Sequence, residues 1–132
     1  MKIKYYRVSV GNVSEKLRNI LGRISRVKIA VLFGSVLRRE VVRDIDVGVV
    51  ADPEFSLKEL IRLSSTIEDE LGAPVDLVPL RSAPPKLRLK ALASGRRLIV
   101  RDSKLYAFLL SEALSESMDI DLKLKYMYTK SF

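Results

Sequence analysis

The chain has 132 residues, which is enough for one domain with a hydrophobic core but not for two. It contains no cysteine and no histidine, so disulfides, thiolate or imidazole metal sites and every mechanism that needs either residue are excluded. The formal net charge is +8, yet residues 44–80 carry nine acidic and two basic side chains, whereas residues 81–101 carry seven basic and no acidic ones. This segmentation fits carboxylates that hold a metal beside cations that attract a polyanion, and it also fits a solvated surface.

The first half of the chain predicts a strand, a helix and a second strand. Alternation over residues 3–10 predicts an edge strand. Asn12 with Glu15 three residues later has the form of a capping box, and apolar residues at helical spacing predict a helix over residues 13–25. A short apolar run predicts a buried strand over residues 27–33.

The remaining segments continue this alternation of strands and helices. In chain order they are a strand over residues 44–50, a helix over 56–71 that Ser56 and Glu59 cap, a strand over 75–80, a helix that Pro84-Pro85 opens and Gly95 closes, and a strand over 97–101. A long helix that Ser103 caps follows over about 104–118 and beyond, towards Tyr128. The pattern predicts one small α/β domain over residues 1–132 with a largely buried sheet. Because no apolar run approaches the roughly 20 residues of a membrane span and no apolar leader is present, a cytoplasmic protein is expected.

Gly34 and Ser35 follow the predicted strand over residues 27–33, and residues 36–39 behind them are capable of forming a helix. Glycine allows close approach of the backbone to a ligand, and a serine hydroxyl with the free N–H groups of a helix start can hold a phosphate. The pair fits equally well an ordinary turn in which the serine caps the helix.

Three aspartates suggest a metal site. Asp44 and Asp46 lie two apart on a predicted strand, so their side chains project from the same face, where ionised carboxylates repel unless a cation such as Mg²⁺ lies between them. Asp76 interrupts the apolar strand over residues 75–80, which we expect beside the first two strands. A third carboxylate there would complete a two-metal site for displacement at phosphorus, or would accept the proton of an attacking hydroxyl. Solvent-facing aspartates on strands with one wet face are the alternative.

The order Gly34-Ser35, Asp44-x-Asp46 and then Asp76 inside an apolar strand resembles the DNA polymerase β type nucleotidyltransferase superfamily. The chain is similar in size to the smallest branch of that superfamily, the minimal nucleotidyltransferases. These are commonly encoded beside a HEPN-domain toxin and act as its antitoxin.

The resemblance extends over residues 27–118, because the strands and helices after Asp76 also continue as they do in that branch. It implies a nucleotidyltransferase-like mixed sheet flanked by helices, with a core of about residues 27–101 and a C-terminal helix. It further implies Mg²⁺-dependent transfer of AMP from ATP to a hydroxyl of the partner toxin, with a tyrosine as the acceptor.

The resemblance also assigns roles to residues. Gly34, Ser35 and Arg38 would bind the nucleotide triphosphate. The metal ligands and catalytic residues would be Asp44, Asp46 and Asp76, holding two Mg²⁺ ions. Eight residues separate Ser35 from Asp44, a shorter gap than is usual in the family, which implies an altered loop over the triphosphate.

Two other functions stay open. One is an inactive antitoxin that neutralises its toxin by binding alone. The other is a small nucleic-acid-binding domain, which is favoured least because the basic residues over 86–101 lack interleaved aromatic side chains. The last helix is more broadly apolar than an amphipathic surface helix, so either this domain covers both of its faces or one face meets another chain. The limited core of a domain of this size favours a partner protein or self-association.

Overall fold

A computed structural model describes residues 3–130. Its elements, in chain order, are β1 (Tyr6–Arg7), α1 (Val10–Gly22), β2 (Val27–Phe33), β3 (Val41–Val42), β4 (Ile45–Ala51), α2 (Leu57–Leu71), β5 (Val75–Pro79), α3 (Pro85–Ser94), β6 (Arg96–Val100) and α4 (Ser103–Lys130). Within this range, no helix combines the length and the apolar composition that crossing a membrane requires.

Four strands form the main sheet, in the order β5-β4-β2-β6. β4 runs antiparallel to β2 and parallel to β5, and β6 runs antiparallel to β2, so the sheet is mixed. Helices flank the sheet and a long helix ends the described chain, which confirms the predicted fold class. The central strands β2 and β4 are buried at all but one residue each, because both of their faces are covered.

Helices cover the two faces of the sheet in pairs. Ala30 and Leu32 of β2 lie in the core cluster that contains buried residues of α1 and α2. The intervening residues Ile29, Val31 and Phe33 lie in the cluster that α3 and α4 complete. Because successive strand residues point to opposite faces, one apolar strand supplies both clusters.

The predicted edge strand over residues 3–10 is largely wrong. Only Tyr6–Arg7 forms a strand, and it pairs antiparallel with Val41–Val42 in a separate two-stranded sheet. The alternating side chains of this segment lead into α1, which already begins at Val10 and packs Val10 against the core.

The predicted capping box at Asn12 and Glu15 is also wrong, because α1 begins earlier. Ser9 is the N-cap, and its hydroxyl accepts a hydrogen bond from the backbone N–H of Asn12 at 3.3 Å. Two cap-type residues three positions apart leave the start of a helix ambiguous in sequence. Either start buries Val13 and Leu17, and the earlier start also packs Val10 against the core.

The predicted cap of α2 is confirmed in detail. Ser56 and Glu59 exchange side-chain to backbone hydrogen bonds at 3.2 and 3.0 Å, and Gly72 ends the helix in the left-handed conformation. α4 begins one residue earlier than predicted, since Asp102 rather than Ser103 accepts a hydrogen bond from the N–H of Leu105.

Arg88 of α3 forms ion pairs that connect this helix to α4. Its guanidinium is buried and donates to the Ala83 carbonyl at 3.1 Å and to Glu112 of α4 at 3.1 Å, and it lies 3.5 Å from Glu116. Both carboxylates remain partly hydrated, so the arginine gains charged partners without the full cost of burying them. The relative position of α3 and α4 therefore depends on the contacts of Arg88 with Glu112 and Glu116.

Candidate active site

Asp46 and Asp76 lie side by side on adjacent strands. β4 and β5 are paired parallel, and the register places Asp46 directly opposite Asp76. Asp44 precedes Asp46 by two positions, immediately before β4 begins, so it reaches the same edge of the sheet. Asp46 is half-buried, whereas Asp44 and Asp76 are exposed. The chain thus brings the three predicted aspartates to one place.

Gly34 lies against Asp46 from the other side. Phe33, the last residue of β2, is paired with Asp46, and Gly34 follows with φ 85° in the left-handed region. A Cβ built on Gly34 would overlap the Oδ2 atom of Asp46 and lie 3.1 Å from its Cγ. Only glycine lets the backbone turn this closely past the carboxylate.

The helix expected behind Gly34 is wrong. Ser35–Leu37 forms a single 3₁₀ turn, which closes with hydrogen bonds from the N–H groups of Arg38 and Arg39 to the Ser35 carbonyl. The chain has to reach β3 at Val41, so the short gap before the aspartates leaves no room for a longer helix. The half-buried Ser35 therefore begins a turn and not a helix.

The carboxyl group of Asp46 has a pKa of about 6, well above its ordinary value of 3.8. Burial is the largest cause, because it penalises the charged form, and the neighbouring charges of Asp44 and then Asp76 raise the pKa further. Lys90 lowers it, but only in part. The three aspartates are thus electrostatically coupled, and a cation placed among them would relieve their repulsion.

The residues present suit a divalent cation that also binds substrate oxygens. None of the three aspartates shares an ion pair with a lysine or arginine in the described part of the chain. Between residues 3 and 130, however, no group of three acidic side chains is arranged to hold a metal ion. Mg²⁺ commonly takes one or two carboxylates and completes its shell with water and phosphate oxygens, which is the role that these donors fit.

A cleft of about 230 Å³ opens beside Gly34. It is lined by Phe33, Gly34, Leu37, Arg38, Lys90 and Ser94. Arg38, predicted to bind the nucleotide, therefore lies in the same cleft as Gly34, whereas Ser35 is not part of its lining. A cleft with two basic side chains next to a carboxylate cluster is suited to a polyphosphate held with a metal ion.

Lys90 and Ser94 are members of this site that the sequence reasoning did not assign to it. Both lie on α3, and packing of α3 against β2 brings them to Gly34. Their spacing of four residues places them on one face of the helix, but nothing in the sequence says which strand end that face will meet.

A protein-family model matches the part of the sequence that forms this site. The model described as "Polymerase beta, Nucleotidyltransferase" matches residues 15–104, which includes Gly34, Ser35 and the three aspartates. The chain belongs to this family. The nucleotidyltransferase match spans β2, β4 and β5 as well as α3, so it includes every strand that carries one of these residues. No curated protein is similar enough in sequence to count as a relative.

Solved structures with the same fold come from toxin–antitoxin complexes. A tri-AMPylated Shewanella oneidensis HEPN toxin in complex with MNT antitoxin contains a chain with TM-score 0.72 and 21% identity, covering 90% of this nucleotidyltransferase and 95% of that chain. A chain in a toxin–antitoxin structure with AMP-PNP has a TM-score of 0.73 and 22% identity, and the match covers 89% of this nucleotidyltransferase and 97% of that chain. A chain in the toxin–antitoxin complex MntA–HepT has a TM-score of 0.71 and 21% identity, and the match covers 90% of this nucleotidyltransferase and 96% of that chain. At such identities the likeness shows the fold.

Proposed function

We propose that this nucleotidyltransferase is the antitoxin of a HEPN toxin and inactivates that toxin by moving AMP from ATP to one of its tyrosine hydroxyls in the cytoplasm. The observation that carries the proposal is the meeting of Gly34, Asp46 and Asp76 at the ends of three neighbouring strands. Support comes from the structural neighbours, one of which is a tri-AMPylated toxin bound to an MNT antitoxin.

In this reaction the protein mainly positions charged groups around the phosphates of ATP. The acceptor oxygen attacks the α-phosphorus of ATP, a new P–O bond forms, the bond between the α-phosphorus and the bridging oxygen to the β-phosphate breaks, and pyrophosphate leaves. Asp44 and Asp46 would hold Mg²⁺, which supplies charge neutralisation on the phosphates. Arg38 and Lys90 border the cleft and would stabilise the leaving pyrophosphate.

We assign the acceptor side of the reaction to Asp76. It lies opposite Asp46 on the edge strand β5 and is exposed, so a hydroxyl from another protein can approach it. Its carboxylate would complete the metal site or accept the proton that the hydroxyl loses.

We expect Asp76→Asn to lower transfer at least about a hundredfold while the protein stays folded, because a general base contributes roughly 10²–10⁴-fold. The measurement is AMP incorporation into the partner toxin with Mg²⁺ and ATP, followed by intact-protein mass spectrometry. Asp69→Asn is the matched control, since Asp69 is an exposed aspartate on α2. Unchanged transfer in Asp76→Asn would contradict the proposed role, and no transfer by the wild type would contradict the proposed activity.

The outer part of α4 is proposed as the contact surface for the toxin. Residues 121–129 are exposed, and Leu122 and Leu124 expose 63% and 57% of their surface. Apolar side chains exposed along a helix mark a protein contact.

Leu122→Asp is expected to weaken capture of the toxin at least about tenfold, because truncation of a buried interface anchor costs about 2 kcal/mol. Calorimetric titration of the toxin measures this, and transfer to a high toxin concentration should survive. Lys58→Asp, an exposed change on α2, is the control. Equal affinities for both variants would place the interface elsewhere.

A binding-only antitoxin is the second candidate. The single turn after Gly34 and the lack of a ready three-carboxylate metal group in residues 3–130 favour it. It predicts that the toxin is neutralised equally well with and without ATP.

A further inference from the structure

The stretch of chain that carries Arg38 is short and exposed. Residues 38–40 lie at the surface between the buried Val36 and Val42, so their side chains are not held by packing in the core. Hydrogen bonds to the Ser35 carbonyl fix the beginning of this stretch. The position of Arg38 therefore also depends on what holds the other end.

The segment before α1 holds that other end. Tyr6 and Arg7 pair antiparallel with β3, and the N–H of Val8 donates to the Glu40 carbonyl at 2.7 Å. The guanidinium of Arg7 lies 3.4 Å from the Glu40 carboxylate, but both side chains are largely exposed, so this ion pair adds little. The backbone hydrogen bond from Val8 is the main link. We call residues 6–8 the N-terminal strap.

Open space borders the stretch on two sides. A depression of about 520 Å³ separates part of the N-terminal strap from the turn, and Arg38 lines both this depression and the cleft beside Gly34. Arg38 forms no ion pair with an acidic side chain of residues 3–130, so its charge is available to a phosphate. Without the strap, residues 38–40 would have room to move away from the cleft.

Order in this stretch affects the affinity of the cleft for a ligand. When a ligand has to order flexible backbone as it binds, the entropy lost by that backbone is subtracted from the affinity. A contact that orders residues 38–40 beforehand removes this loss. The N-terminal strap supplies such a contact through Glu40.

We propose that the N-terminal strap is a positioning element for the nucleotide, which keeps Arg38 at the cleft by holding the Glu40 carbonyl. The inference rests on the proposed function, because it assumes that Arg38 contacts the phosphates of ATP. The strap acts through Arg38 and contacts neither the nucleotide nor the acceptor.

The first test removes the hydrogen bond from the strap. Val8→Pro deletes the N–H that donates to Glu40, and Arg7 before it is already in a strand, the conformation that a residue before proline favours. Calorimetric titration with Mg²⁺ and ATP should show at least about a tenfold loss of affinity, the cost of ordering roughly one residue. Gly72→Ala, which strains the end of α2, is the control for lowered stability and should bind ATP like the wild type.

A disulfide separates loss of the pairing from damage to the fold. Because Val8 and Glu40 form a hydrogen-bonded pair, Arg7 and Val41 beside them form a non-hydrogen-bonded pair, in which the two side chains lie closest. The chain has no cysteine, so Arg7→Cys with Val41→Cys can form only one disulfide within the chain. In this background Val8→Pro should weaken ATP binding when reduced and restore it to within about threefold when oxidised.

Kinetics and a double variant test the route through Arg38. Val8→Pro should raise KM for ATP about tenfold and change kcat less than about twofold, because the ordering cost is met when ATP binds. In an Arg38→Ala background, Val8→Pro should weaken ATP binding less than about twofold, since both changes act on the same contact.

The other outcomes overturn the inference in distinguishable ways. Unchanged ATP affinity in Val8→Pro, beside a wild type that binds ATP and transfers AMP, removes the role of the strap and leaves the proposed function standing. A loss that oxidation does not reverse, or losses in Val8→Pro and Arg38→Ala that add, would mean that the substitution acts elsewhere in the fold. No ATP binding by the wild type removes the proposed function, and with it the inference.

Discussion

Asp46→Asn is expected to abolish AMP transfer and, above pH 6, to stabilise the protein without ligand. Transfer should fall about a thousandfold or more, because a ligand of the metal that neutralises the phosphates contributes several kcal/mol. The stabilisation follows from the raised pKa of Asp46, which is about 6 in the fold against an ordinary 3.8. A catalytic group held at the expense of stability is typical of active sites.

The sign of the pH dependence follows from the same pKa. Well below the ordinary pKa of 3.8, Asp46 is protonated in both the folded and the unfolded chain and carries no penalty. Between about pH 4 and pH 6 the unfolded chain loses its proton first, so stability falls as pH rises. The full shift would correspond to about 3 kcal/mol. Because Asp46 is only half-buried, solvent screening reduces the expected penalty above pH 6 to roughly 1–2 kcal/mol.

Urea unfolding at about pH 3 and at pH 8 measures this difference. Asp46→Asn should match the wild type at the lower pH and exceed it at pH 8, while Asp69→Asn, which changes an exposed carboxylate on α2, should follow the wild type at both. Saturating Mg²⁺ and ATP should remove the advantage of the asparagine, since the cation compensates the carboxylate charge. A variant less stable than the wild type at pH 8 would contradict the electrostatic picture.

Gly34→Ala is expected to destabilise the protein and to lower transfer by about a hundredfold or more. Gly34 combines φ 85° with ψ −156°, a conformation essentially restricted to glycine in which a side chain costs about 1–3 kcal/mol, and the new methyl group would overlap Oδ2 of Asp46. Relief of that overlap must move either the turn or the carboxylate, and a displacement of about 1 Å is enough for a hundredfold loss.

Gly72→Ala separates these two effects. Gly72 also has a positive φ of 71°, with a ψ of 22° in the left-handed helical region, and no atom lies within 4 Å of a Cβ built there. Gly72→Ala should therefore lose about 1–2 kcal/mol of backbone free energy and keep full transfer activity. Thermal unfolding and transfer assays on both variants provide the comparison. Equal activity in the two would show that the contact between Gly34 and Asp46 has no role in the reaction.

Local signals in the sequence predicted much of the fold. The Ser56 and Glu59 capping box, Gly72 and the Pro84-Pro85 helix start act between residues close together in the chain, so they could be identified without tertiary information. The predicted start of α1 was wrong because two neighbouring capping signals compete. Ser9 and Asn12 both have cap-forming side chains, and packing of Val10 decides between them.

The motif was identifiable because Asp46 and Asp76 interrupt apolar strands, while Gly34 and Asp44 lie directly at strand ends, where a glycine turn or a carboxylate has to be explained by contacts. The sequence by itself therefore determined the alternation of strands and helices, the glycine turn and the candidate carboxylates. Their pairing was decided only by the tertiary structure, because neighbouring strands and their register depend on how the whole sheet packs. The same holds for Lys90 and Ser94, whose helix face meets Gly34 only after α3 is buried against β2.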